Sequence, residues 1–342
     1  NAILEQEPGV KIIGIDKESL EEYGPWPFSR KLHGELLEKL RGAKAVGFDL
    51  IFSEPSPEDG LFSAALKTGP PAVMAVASSY EGALLKPEAT SFQDQQLGHI
   101  ETELGFGGIV RRVLLYKYDI PVLAASLAQA ASSSSSYSLK DAANSRLINF
   151  YGPEFSFLYL SFHDVLQGEY PESFFDERFV LIGSRALALG DVHITPFSRK
   201  HPAPGVEVQA TILGNILEDS FLHELGWLTW SLCLVSLFML LLLWPRRSET
   251  YNAVSFLAFT SCAICLAIVL FQVHYFLNFA IPLLFLLVGY VVHSIFWWLK
   301  ITTGMIGEIR ALDYQLEDRI ERLFMTLPSP LAYSSGRRKP LK

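Results

Sequence analysis

From Thr250 to Leu299 the chain runs for fifty residues without Asp, Glu, Lys or Arg. A stretch of that length with no charge is foreign to the surface of a soluble domain, because exposed helices and loops carry charge on at least one face. Cysteine is also scarce: the three present, Cys233, Cys262 and Cys265, all lie in the apolar part of the chain. The region before it is therefore expected to fold without a disulfide, which a body of about 220 residues can do on its apolar core alone. Cys262 and Cys265 have no His or carboxylate beside them, and the pair reads as small-residue packing in a helix rather than as a redox or metal site. Basic charge is short where it would be needed for nucleic acid. Residues 1–221 hold 18 Lys and Arg against 29 Asp and Glu, and such an acidic body excludes a mode of binding that rests on phosphate neutralisation. Nucleophile elbow, HExxH, Walker loop and Gly-rich dinucleotide turn are all absent. No signal segment precedes Asn1, although an exported amino-terminal domain requires a signal or an earlier span, so a further span upstream is expected.

Three apolar segments are present instead: 225–244, 251–271 and 276–299. Each is about as long as the ~20-residue helix that crosses a ~30 Å hydrocarbon layer. Connectors of a few residues make them antiparallel neighbours, so an all-α bundle of three transmembrane helices is expected. Arg246 and Arg247 occupy the first connector and Lys300 follows the third segment, while Gln272 to Tyr275 carries no Lys or Arg. Positive charge marks the cytoplasmic side. Residues 1–221 are then extracytoplasmic and residues 300–342 cytoplasmic.

The outer region alternates strand and helix. Lys11 to Asp16 (KIIGID), Ala45 to Phe52 (AVGFDLIF), Ala72 to Ala77 and Phe179 to Ser184 (FVLIGS) read as buried strands, and Leu32, Leu36, Leu37 and Leu40 recur at helical spacing between the first two. Helices are expected from Pro121 to Ala131, Phe162 to Gln167 and Val206 to Asp219, further strands at Val110 to Tyr116 and Arg146 to Tyr151, and loop, with or without a hairpin, from Ser78 to Ile109. Alternation of this kind predicts an α/β domain with a mixed, mostly parallel sheet. Ser132 to Ser136 read as a low-complexity linker.

Several of these pieces, in this order, resemble the CHASE type 2 domain, the extracellular sensory module found in front of bacterial adenylate cyclases, histidine kinases and protein kinases. The pieces are Ile13 to Ser19, Gly24 to Arg30 (GPWPFSR), Ala45 to Pro55 (AVGFDLIFSEP), Ile109 to Arg112 (IVRR), Phe179 to Phe197 and Pro204 to Leu213 (PGVEVQATIL). Three spans after the domain are similar to that family's usual layout. Gly107-Gly108 departs from it, since the family tends to have Asp-Gly there. The resemblance implies a membrane-bound receptor in a bacterial inner membrane, and Arg30, Asp49, Arg111, Arg112, Asp191 and Thr195, all in resembling segments, are its candidate ligand-binding residues. Each also has a plain structural reading, among them that Arg30 satisfies a buried Asp49. Asp16, Asp49 and Asp191 with His193 form a set that could hold a divalent cation, but no catalytic residue, metal or cofactor is assigned. The rival class is an envelope assembly module that grips a partner protein.

After Lys300, Met305, Ile309, Leu312, Leu316, Ile320, Leu323 and Leu327 make an apolar stripe of period close to 11 residues in three turns. Such a stripe suits a parallel homodimer stalk or, alternatively, a helix lying on the membrane or on its own bundle. Phe324 to Pro330 resembles the junction before the catalytic domain of class III adenylate cyclases, with Leu327 where that junction has Tyr. The last residues, 329–342, are basic and lack a core-forming pattern.

Overall fold

The computed structural model describes residues 9–79, 81–87, 90–132, 145–185, 190–198, 201–243, 249–278 and 280–326. Most of the serine linker and all of the basic tail lie outside these residues. The chain divides into two compact units: residues 1–224 with 271–276, and residues 225–270 with 277–342.

The first unit is built on β1 (Val10–Ile15), α1 (Lys17–Tyr23), α2 (Arg30–Lys39), β2 (Ala45–Asp49), α3 (Asp59–Thr68), β3 (Ala72–Ser78), β4 (Leu84–Leu85) and β5 (Gln96–His99). There follow β6 (Thr102–Leu104), β7 (Val110–Leu114), the short pair β8 (Tyr116–Lys117) and β9 (Ile120–Pro121), α4 (Leu123–Ala131), β10 (Ser145–Leu147), β11 (Tyr159–Ser161) and α5 (Phe162–Gln167). β12 (Phe179–Ser184), β13 (Val192–His193), β14 (Ala203–Pro204), α6 (Gly205–Glu218) and β15 (His223–Glu224) complete it, joined by β16 (Tyr275–Phe276) from further along the chain.

Six strands lie parallel in the order β11–β1–β12–β2–β3–β5, with β4 antiparallel at the end of β3. The mixed, mostly parallel sheet is thus observed. β1, β2 and β12 are buried along their whole length, as expected of parallel strands covered on both faces. Side chains alternate between those faces: Val10, Ile12, Ala45, Val73 and Leu181 meet α4 and α6, while Ile13, Ile15, Val46, Phe48, Met74 and Ile182 meet α2, α3 and α5. The GPWPFSR loop serves the second core. Trp26 packs edge-on against Phe28 and His33, and Phe28 reaches Phe162.

Three expectations change. The presumed loop before Ile109 contains β5, a full member of the main sheet. The strand expected to start at Arg146 is β10, three residues that pair with β7 outside the main sheet. The helix expected from Pro121 starts at Leu123, because Ile120 and Pro121 pair back onto Tyr116 and Lys117.

The second unit is helical: α7 (Gly226–Leu243), α8 (Glu249–Gln272, its last two residues counted with the first unit) and α9 (Ala280–Thr326). α7 packs on α9, and Phe256 of α8 stacks on Tyr290 of α9 with ring centroids 5.0 Å apart. Among the described residues two stretches are long and apolar enough to cross a membrane, Val254–Gln272 and Ala280–Leu323, with a shorter apolar stretch at Gly226–Val235. The third apolar segment starts later than the sequence suggested, because Tyr275 and Phe276 are strand. From Ala280 the helix continues unbroken through Lys300 to Thr326, so the apolar segment and the amphipathic one are a single rod of about 70 Å at 1.5 Å per residue. Cys262 and Cys265 are exposed, and the small residues that pack are Ala263 and Ala267 on the opposite face of α8.

Candidate functional site

Parallel strands bring their carboxyl ends to one edge, and crossover connections leave a crevice there. β12 is inserted between β1 and β2, with Ile15 beside Ser184 and Gly183 beside Asp49. This places Asp16, Asp49 and the chain after Ser184 along one ledge, although they lie far apart in sequence.

The groups on the ledge have different fates. Asp16 is occupied as the N-cap of α1: its Oδ1 accepts from the Ser19 amide at 3.0 Å, the Ser19 hydroxyl at 2.7 Å and the Ser161 hydroxyl at 3.1 Å. Asp49 is buried, and neither carboxyl oxygen has a hydrogen-bond partner among the described residues. Burial first, and the negative charge of Asp191 second, push its pKa well above the usual carboxylate range. The Asp191 carboxylate lies over Gly205, the first residue of α6, where a Cβ would come within 2.3 Å of both its oxygens. His193 Nε2 stands 3.6 Å from Asp191 Oδ1. Glu207, in the first turn of α6, accepts from the amides of Phe155 and Ser156 at 3.0 and 2.8 Å and from the Tyr159 hydroxyl at 3.2 Å. Its pKa is raised by burial against the opposing pull of those donors. Asp16, Asp49, Asp191 and His193 do not close into a cation cage. Among the described residues the group close enough to share an ion is Glu18, His163 and Asp164, which lies on α1 and α5.

The six candidates thus divide among three places. Asp49 and Asp191 are neighbours on the ledge. Thr195 is buried nearby and spends its side chain on a turn, its Oγ1 3.1 Å from the Ser198 hydroxyl and accepting from the Phe197 amide at 3.3 Å. Arg30 is elsewhere: its Nε meets Asp59 Oδ1 at 3.3 Å, its Nη2 donates to the Glu54 carbonyl oxygen at 3.0 Å, and its guanidinium lies 4.5 Å over the Phe52 ring. The reading that Arg30 satisfies Asp49 is therefore wrong, because Asp59 holds it.

Arg111 and Arg112 belong to a second site. Leu104 pairs with Val110 and Glu103 with Arg112, so Arg111 is the extra residue of a β-bulge in the β6–β7 hairpin. A bulge of this type breaks the alternation of side chains. Both arginines consequently line one cavity of about 670 Å³, whose walls include Phe150, Phe197, Leu222 and Phe276. Arg111 Nη1 donates to the Phe106 carbonyl oxygen at 3.3 Å, and Arg112 pairs with Glu224. Gly107 and Gly108, at φ 74° and 71°, form the hairpin tip in a conformation that glycine adopts without strain.

One wall of that cavity is joined to the apolar helices through the backbone. β7 pairs with β10, the Leu222 amide donates to the Leu147 carbonyl oxygen at 3.0 Å, and β15 pairs in parallel with β16. The His223 amide donates to the His274 carbonyl oxygen at 2.8 Å. β15 leads directly into α7, and β16 lies between α8 and α9. Sequence reasoning missed Glu224, Asn149 and Phe197 as cavity residues, and nothing in local pattern marks them, since they meet only through this secondary sheet.

Neither a curated relative nor a solved structure matches the chain. The CHASE2 domain, a family of extracellular sensory domains, matches residues 2–244. That span covers the α/β body from β1 to β15 and α7, and the chain belongs to the CHASE2 domain family.

Proposed function

We propose that the chain is the sensing and membrane-crossing part of a bacterial receptor. Its α/β body lies outside the inner membrane, α7, α8 and the first half of α9 cross it, and the rest of α9 pairs with a second copy to drive an adenylate cyclase or kinase output. In this reading the chain itself carries no catalytic residue. The observation that carries the proposal is the β15–β16 ladder: the residues that lead into the first apolar helix and those that join the second to the third are hydrogen-bonded to each other, within the sensory unit. A displacement of β7 or β10 then reaches the helix connections through backbone hydrogen bonds and the Arg112–Glu224 pair. α9 supports the second half of the argument, because an unbroken helix conveys rotation or translation along its axis without loss at a hinge. Its apolar stripe, with Ile309, Leu312 and Leu316 exposed, suits a partner helix of the same kind. A signal must favour one of two arrangements to move the equilibrium, since equal affinity for both shifts nothing.

The test places a cysteine at Leu316 in a chain whose three native cysteines are replaced and measures disulfide formation between copies in membranes. The reading expects cross-linking between copies, and a change of at least twofold in its rate on Arg112→Gln. Absence of cross-linking, or a rate indifferent to Arg112→Gln and to Glu224→Gln, would overturn it.

A further inference from the structure

The cavity of the β6–β7 hairpin is lined by two arginines and two glutamates, and Arg111 is the cation of the four that makes no ion pair among the described residues. Arg112 is met by Glu224, and Glu103 accepts from the Ser145 hydroxyl. Arg111 is met by the carbonyl oxygen of Phe106, a neutral acceptor, and no carboxylate among the described residues pairs with it. A guanidinium carries five N–H donors in a planar fork suited to an anionic head. Around it the cavity is largely hydrocarbon, with Phe150, Phe197, Leu222 and Phe276 among its walls, and its volume of about 670 Å³ falls in the range of small-molecule sites.

We propose that this cavity binds an amphipathic anion, an apolar body with a single carboxylate or phosphate head, and that the head seats on Arg111. The bulge is what makes this possible. In a regular strand Arg111 and Arg112 would point to opposite faces, whereas here the extra residue puts both at the cavity, one matched to Glu224 and one left for a ligand. An apolar body fills the aromatic walls, and a neutral analogue of the same shape leaves Arg111 without its anion. The inference rests on the sensory reading above and names the chemistry that the sensor takes. The same chemistry can come from a soluble acid or from an anionic lipid.

The experiment uses the full chain in phosphatidylcholine nanodiscs, titrated calorimetrically with 2-naphthoate, with 2-naphthamide as neutral analogue and empty discs as background. The expected result is saturable binding of naphthoate at one site per chain, at least tenfold tighter than naphthamide. Arg111→Gln is expected to weaken naphthoate at least tenfold and naphthamide little, and Phe197→Ala to weaken both. Arg111→Lys keeps the charge without the fork and is expected to fall between, which guards against a folding defect in Arg111→Gln. In discs containing phosphatidylglycerol, weaker apparent naphthoate binding assigns the head to a lipid and unchanged binding assigns it to a soluble acid, and either supports an amphipathic anion. Binding no greater than to empty discs, or equal naphthoate affinity in wild type, Arg111→Lys and Arg111→Gln, overturns the proposal. If naphthoate fails while Leu316 cross-linking still responds to Arg112→Gln, the ligand class is wrong and the sensory reading stands. If naphthoate binds and cross-linking does not respond, the reverse holds.

Discussion

Asp49 is a carboxyl group stored without a hydrogen-bond partner among the described residues, as are the rings of His33 and His99, but it alone of these three is an acid. Its cost has a definite sign with pH. The folded pKa lies above that of the unfolded chain, near 3.8, so between those values the unfolded state gives up a proton that the folded state keeps. The group's contribution to stability is therefore full below the unfolded pKa and is lost as pH rises through the window. Asp49→Asn, which keeps the shape and cannot ionise, is expected to melt at or above the wild-type temperature at pH 7, with the difference closing by pH 4. A variant that melts lower at both pH values would show instead that the carboxyl makes a bond the fold needs. Arg30 makes the opposite case, since its charge is matched by Asp59 and by the Phe52 ring. Both residues were legible as buried charges. Their partners were not, because Asp59 and Asp191 come from separate elements that only the assembled sheet sets in place.

At the scale of elements, what could be read from sequence was whatever the chain repeats locally. β1, β2 and β12 are unbroken apolar runs, and α5 and α6 have the spacing and the borders of helices, so β1, β12, α5 and α6 lie within a residue or so of where the pattern puts them, while β2 starts at Ala45 as expected and ends at Asp49 rather than Phe52. β5 was hidden because Gln96-Leu97-Gly98-His99 mixes polar side chains with a glycine. The glycine has a structural reason: a Cβ there would stand 2.5 Å from the Leu123 Cα, where α4 crosses close over the strand. Backbone cannot retreat as a flexible side chain can, so Gly98→Val is expected to cost about 1–3 kcal/mol, typical of forced overpacking, and to lower the melting temperature by several degrees. A wild-type melting curve for that variant would mean that α4 does not approach β5 as closely as described. The bulge at Arg111 lay beyond local reading for a different reason. Register is a property of two strands, and no single-strand pattern shows where one carries an extra residue.

For the whole molecule, the division into an α/β body and a helical unit was plain from charge alone, and the CHASE2 match covers the body as far as β15. What the charge pattern could not show is that 271–276, inside the apolar block, belong to the body and that Tyr275 and Phe276 among them pair with β15. In the proposed receptor that pairing would join sensing to the helices, and it has meaning only if the body and the far end of α9 lie on opposite sides of a membrane. Cysteine labelling tests this arrangement most directly. In cells expressing the full chain with its native cysteines replaced, Lys86→Cys on the body and Asp313→Cys on α9 are treated with a membrane-impermeant maleimide. The account predicts that Lys86→Cys reacts in cells whose inner membrane is intact and Asp313→Cys only after that membrane is permeabilised. Labelling of both positions from the same side would contradict it.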